Sequence, residues 1–202
     1  VVTDMNLKKI VLYTAGLGII GAVVFQFVYR PWNLTWGSTD EEVKRAMVGD
    51  DIVKDPTFNA TRAVTIDARA EEVWPWIVQI GYKKAGFYSY DFLDNDRIAS
   101  TEEIVPEFQG LQVGDSIPLD KNTFGRVEAL APNEHMLLVF EPDTRATWVW
   151  GLYETDGRTR LVTRLRWRTE SRGVTLLLDA FEIIMMRKHL LGIKRRAQSL
   201  AQ

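Results

Sequence analysis

Hydrophobic and polar positions divide this chain into three parts. Residues 10–28, IVLYTAGLGIIGAVVFQFV, run nineteen long without Asp, Glu, Lys, Arg, His or Pro, between Lys8-Lys9 and Arg30-Pro31. A hydrocarbon core of about 30 Å needs roughly 20 apolar helical residues. The run therefore predicts one membrane-crossing helix, an anchor over 1–30. A cleaved signal peptide has a shorter apolar core and a small-residue cleavage site. Phe25-Gln26-Phe27-Val28-Tyr29-Arg30 offers no such site. A helix in a soluble core carries a polar stripe, yet only Thr14 and Gln26 interrupt this one. Tyr29 and Trp32 suit an interfacial aromatic belt, and the Lys8-Lys9 pair favours a cytoplasmic N-terminus with the following domain outside.

Residues 31–59 read as a connector holding one short helix, 38–47, capped by Ser38 or Thr39 with Glu41-Glu42 in its first turn. From 60 to 202 the pattern is that of a folded domain. Alternation at 61–67 predicts a strand, with Val64 and Ile66 on one face. Val73, Trp76, Ile77 and Ile80 fall at i, i+3, i+4 and i+7 and predict a helix. A second short helix is expected at 89–97. Strand composition recurs at 116–119, 124–130, 136–141, 147–154 and 160–169. Turn signals separate these, among them Glu141-Pro142-Asp143 and Asp156-Gly157-Arg158. A long helix over 174–200 closes the chain. Consecutive strands with segregated helices make an α+β fold, an antiparallel sheet with a long helix against it.

Composition narrows the chemistry. The chain has no cysteine, so disulfides, thiolate metal sites and a cysteine nucleophile are excluded. Two histidines, His135 and His189, rule out a multi-histidine metal centre. Net charge is −2 but uneven: residues 31–145 carry 21 acids against 11 bases, and 146–202 carry 5 against 11. The acidic first part and the lack of a reading motif argue against nucleic acid.

Several local motifs occur in order: Trp36-Gly37-Ser38-Thr39-Asp40-Glu41-Glu42, Gly49-Asp50-Asp51, Ala60-Thr61-Arg62-Ala63-Val64-Thr65-Ile66, and Glu71-Glu72-Val73-Trp74-Pro75-Trp76. Gly86-Phe87-Tyr88-Ser89-Tyr90-Asp91, Pro106-Glu107-Phe108-Gln109, Val113-Gly114-Asp115 and Leu190-Leu191-Gly192-Ile193-Lys194-Arg195-Arg196-Ala197 follow. With the element order, they make residues 36–197 resemble the START-like helix-grip superfamily (SRPBCC), the polyketide cyclase/dehydrase and lipid-transport-like domains. The resemblance extends to membrane-anchored bacterial members. It implies a curved sheet gripping the C-terminal helix around an apolar cavity. Family members hold lipids, sterols or polyketides there, and some are enzymes.

Eight residues are candidates for lining such a cavity: Trp76, Tyr88, Tyr90, Phe124, Trp148, Trp150, Phe181 and Met185. The same rings would equally serve as solid core. The acids Asp91, Asp94, Asp96, Glu102, Glu103 and Glu107 read as a solvated surface, since no calcium-loop spacing is present. His135 and His189 read as surface histidines. Arg160, Arg164, Arg166 and Arg168 read as the solvent face of a strand. No catalytic residue, metal or cofactor is expected. The leading expectation is a binding protein whose partners are the bilayer and a hydrophobic small molecule or lipid. An accessory subunit contacting other membrane-protein subunits comes second. A cyclase/aromatase-like enzyme comes last, because no nucleophile–base pair is recognisable.

Overall fold

The computed structural model describes residues 2–142 and 145–200, so part of the turn expected at Glu141-Pro142-Asp143 lies outside the described residues. The chain forms two compact units, one ending at Asn33 and one beginning at Leu34.

In the first unit, helix α1 (Val2–Val24) runs through a π-helical turn, Phe25–Tyr29, into α2 (Arg30–Leu34). The stretch Lys9–Leu34 spans 26 residues and is long and apolar enough to cross a membrane. Its length is about 39 Å at 1.5 Å per residue. The Thr14 hydroxyl lies 3.0 Å from both Ile10 O and Val11 O, so this polar group is satisfied within the helix, as an apolar surrounding requires.

The second unit is a six-stranded antiparallel sheet with a long C-terminal helix against one face. Its elements are α3 (Asp40–Lys44), β1 (Phe58–Ile66), α4 (Ala70–Val78), α5 (Asp91–Asp94), β2 (Ser116–Pro118), β3 (Phe124–Ala131), β4 (His135–Glu141), β5 (Ala146–Thr155), β6 (Arg158–Trp167) and α6 (Arg172–Leu200). Strand order is β1-β6-β5-β4-β3-β2, and every pairing is antiparallel. This is the expected α+β helix-grip architecture, a curved sheet around a closing helix.

Local chemistry starts the helices where the sequence predicts. Thr39 and Glu42 form a reciprocal capping box at α3. At α4 the Arg69 N–H donates to Glu72 at 2.7 Å and the Ala70 N–H to Glu154 of β5 at 2.7 Å. Val73, Trp76, Ile77 and Ile80 are all fully buried, as their spacing predicts.

Alternation gives the sheet two faces. On the inner face, Val64, Ile66, Val127, Met136, Leu138, Trp150 and Leu161 pack with α4 and with Met186, Leu190, Ile193 and Ala197 of α6. On the outer face, Ala63, Leu137, Val149 and Val162 pack against Met47.

The outer face is where the structure departs from the expected solvent-facing arginine ladder. Segment 34–55 covers it. The Arg164 guanidinium, 3 % exposed, donates to Glu42 O, Val43 O, Arg45 O, Thr61 Oγ1 and Asp50 Oδ2. Arg160 pairs with Glu42 and donates to Gly37 O, while Arg166 donates to Val53 O. The alternation is real, but the polar side meets backbone carbonyls of the segment preceding β1 rather than water. Those carbonyls satisfy charged groups as water would.

Candidate ligand cavity

Two of the motifs, far apart in sequence, meet where α6 lies on the 86–91 segment. Tyr88 adopts φ +58°, and a Cβ on Gly192 would lie 2.3 Å from Tyr88 O. Only glycine lets the helix approach this closely. One turn on, the Arg196 guanidinium stacks 4.4 Å over the Tyr88 ring, donates to Thr101 O and pairs with Glu102.

His189 locks the same junction. Its Nε2 lies 3.0 Å from the Trp150 indole nitrogen, which can only donate. The proton therefore sits on Nδ1, which donates to Phe87 O at 2.6 Å. The ring is 2 % exposed, and burial pushes its pKa down to about 4. This corrects the expected surface histidine: His189 is neutral and fully bonded.

Beside this lock, between the sheet and α6, lies a half-open cavity of about 180 Å³. Phe140, Trp148 and Leu165 floor it from the inner face of the sheet, and Trp148 and Leu165 are direct cross-strand partners. Glu182, Met185 and Met186 of α6 form one wall, and Phe87, Ser89, Asp94 and Leu119 the other. Phe87 stacks on Trp148 at 6.4 Å.

Two carboxylates interrupt this apolar lining. Burial raises the Glu182 pKa, with Arg62 of β1 opposing the shift from 2.5 Å away. Glu182 Oε1 accepts no hydrogen bond. Asp94 is half-buried, and neither of its buried oxygens has a hydrogen-bond partner. The neighbouring Ser89 hydroxyl donates to Met185 O at 3.1 Å and also lies close enough to Asp94 to oppose the rise in its pKa. Burial, then the charge of Asp91, pushes the Asp94 pKa up to about 6.

Other hollows differ in kind. One of about 310 Å³ on the outer face, beside Met47, His135 and Tyr153, has no unpartnered buried polar side-chain atom among the described residues. Another is walled by α6 residues alone. The loop at Gly81–Gly86 does not border the cavity; it is closed by paired backbone hydrogen bonds at 3.1 Å.

Of the eight candidate aromatic and methionine residues, the structure brings Trp148 and Met185 to the cavity. Trp150 stands behind Trp148, ring centroids 4.0 Å apart. Trp76 and Tyr88 meet edge-to-face at 5.9 Å in the core below α4, and the Tyr88 hydroxyl donates to Trp76 O. Burial raises the Tyr88 pKa, so the phenol stays neutral. Tyr90 lies under the Lys188 ammonium at 3.9 Å. Phe124 is 43 % exposed, on the strand face opposite Gly125 and its partner Phe140. Phe181 points outward from α6, 60 % exposed.

Sequence reasoning passed over Phe140 and Leu165, although alternation puts them on the Trp148 face. It also passed over Glu182, the one acid in the stripe Leu178, Glu182, Met185, His189. Asp94 reads as part of a solvated acid cluster; the structure instead half-buries it in the cavity wall, because its short helix packs beside α6.

Among the described residues, the polar side chains lining the cavity are Ser89, Asp94 and Glu182. Ser89 and His189 are both committed to other partners. The rest of the lining is apolar.

No protein-family model matches the chain, and no curated protein matches it in sequence. Among solved structures it is similar to the polyketide-cyclase-like protein Cgl2372 of Corynebacterium glutamicum, at 17 % identity over 71 % of this chain and 93 % of that one, TM-score 0.39. It is also similar to Ms6760 of Mycobacterium smegmatis, at 14 % identity over 71 % and 93 %, TM-score 0.47. CalU16 of Micromonospora echinospora gives 14 % over 71 % and 85 %, TM-score 0.37. The fold assignment rests on the strand order and the closing helix.

Proposed function

We propose that this is a membrane-anchored binding protein of START-like type, holding a hydrophobic small molecule or lipid between its sheet and α6. The apolar stretch Lys9–Leu34 supplies the anchor, and Lys8-Lys9 would keep the N-terminus cytoplasmic and the domain outside. The observation that carries the reading is the half-open cavity floored by Phe140, Trp148 and Leu165, beside a helix locked in place by Gly192 and His189. Burial of apolar ligand surface drives uptake, at roughly 25 cal/mol per Å² before ordering costs. The volume, about 180 Å³, suits a small ligand or one end of a longer one.

The test is a fluorescence titration of the full-length protein in phosphatidylcholine nanodiscs with the apolar probe N-phenyl-1-naphthylamine. Leu119→Trp fills the cavity from a loop, outside the sheet. Saturable binding that weakens at least tenfold in this variant is the expected result. Equal binding by both forms overturns the reading.

A second reading, an accessory subunit of a larger membrane complex, has its own observation. Leu176, Leu177, Phe181 and Ile184 leave an apolar stretch of α6 about half exposed or more, as a protein contact would need. Stoichiometric co-release with another polypeptide, lost on Phe181→Asp, would favour it.

A further inference from the structure

The cavity's polar atoms identify the class of molecule it takes, given the binding reading above. A buried acceptor without a donor loses its hydration and gains nothing in return, which is why such atoms are rare in folded proteins. Here three acceptor oxygens of two residues lining one cavity share that state: Asp94 Oδ1, Asp94 Oδ2 and Glu182 Oε1.

A ligand that displaces water from these oxygens must therefore bring hydrogen-bond donors of its own. Charge narrows it further. Glu182 is already neutralised by Arg62 at 2.5 Å. The cation facing Asp94 is Lys188, drawn over the Tyr90 ring at 3.9 Å, and Asp91 on the same short helix adds negative charge. Asp94 is thus the under-compensated group. A carboxylate or phosphate head would be repelled. A hydroxyl would satisfy one oxygen and leave the charge.

An ammonium satisfies both, through charge-assisted hydrogen bonds. The stacked faces of Phe87 and Trp148 line the same space and attract a cation as well. A bare metal ion fits less well: among the described residues no third His, Cys, Asp or Glu completes a group that would hold one.

We propose that the cavity selects an amphiphile with a protonated amine head, the ammonium donating to Asp94 and Glu182 Oε1 while the apolar body lies on Phe140, Trp148 and Met185. This makes Asp94 the specificity determinant and the aromatic floor the source of affinity.

The test displaces N-phenyl-1-naphthylamine from the full-length protein in phosphatidylcholine nanodiscs, using octylamine, octanol and octanoate at pH 7.5. Leu119→Trp discs subtract partition into lipid. Octylamine should displace the probe at concentrations at least tenfold lower than octanol, with octanoate weakest. Asp94→Asn should bring octylamine to the octanol level, and Glu182→Gln should move it part of the way. In the wild type the octylamine advantage should shrink as pH falls through 6. That decline rests on Asp94 in the field of Asp91, Lys188 and Glu182, and it serves as the readout if the variants fail to fold. Octanol or octanoate equalling octylamine, or an amine preference unchanged in Asp94→Asn, overturns the inference while probe binding leaves the cavity reading standing. Failure of the probe itself to bind overturns both.

Discussion

On the outer face of the sheet, the buried Arg164 has five hydrogen bonds. On the inner face, three buried oxygens of Asp94 and Glu182 have none. Both faces place charge out of water, and the same physics applies to each. Arg160 and Arg164 find their acceptors within the chain and hold segment 34–55 in place, while Arg166 donates from its terminal nitrogens and leaves a buried Nε without a partner. The inner oxygens find no hydrogen-bond partner within the chain and are left to water or a ligand. The difference separates structural polarity from polarity held for a partner.

The comparison breaks most visibly if the outer network is cut. Arg164→Met leaves three carbonyls of the 42–45 segment without this donor and Asp50 with only the Met47 N–H and Arg166, and should cost about 3–5 kcal/mol, as for other buried charge networks. Chemical denaturation of the full-length protein measures this. The folded fraction should retain probe affinity within about twofold, because Arg164 lies on the opposite face. A large affinity loss in folded protein would undo the division between the faces.

The histidine lock should show as pH dependence. His189 titrates at about 4 in the fold against 6.5 unfolded, so the unfolded chain binds more protons between those values. Stability therefore falls as pH drops from 6.5 towards 4 and levels off below. The total is about 3 kcal/mol at 1.36 kcal/mol per unit. His189→Gln should flatten this component of the slope, and a slope of the opposite sign in Asp94→Asn would contradict the assignment.

Gly192→Ala puts a methyl group against Tyr88 O and should destabilise by about 1–3 kcal/mol. Unlike Arg164→Met, it should also weaken probe binding, because α6 walls the cavity. Thermal melts paired with titrations distinguish the two.

The smallest effect is the sharpest. Asp94 titrates at about 6 in the fold against 3.8 unfolded, so its ionisation removes stability as pH rises through that window. Asp94→Asn should thus stabilise the unliganded protein at pH 7.5 by about 1 kcal/mol, a figure reduced for the group's partial solvent screening. The gain should vanish below about pH 4. A variant that gains stability and loses selectivity marks a residue kept for binding. Equal stabilities at pH 7.5 would remove that mark.

Much of this architecture was legible in the chain. Strand composition and the turn signals between segments located β3 to β6 to within a residue or two, because β-branched and aromatic residues fill a pleated, buried surface while Gly, Pro, Asn and Asp punctuate it. Helical phase gave the buried face of α4. The outer face was not legible. Polar positions opposite backbone carbonyls look the same in sequence as polar positions opposite water, so Arg164 and Arg166 read as solvated. His189 sits in the basic run Arg187-Lys188-His189, and composition hid what its helical phase implies, a place on the stripe of Glu182 and Met186. The site was partly legible: Trp148 and Met185 border the cavity, while Phe124 and Phe181 follow the periodicity of outward positions. Asp94 depends on how a four-residue helix meets α6 across nearly a hundred residues, and no local pattern carries that.

The most direct test of the central claim, that the inner face is completed by a bound molecule, is native mass spectrometry of the full-length protein released gently from its own membranes. Wild type should carry a reproducible small-molecule adduct, and its fragmentation should yield an amine. The adduct should be absent from Leu119→Trp and diminished in Asp94→Asn. A wild-type protein that emerges bare, at the mass of its polypeptide alone as folded Leu119→Trp does at its own, would contradict the account.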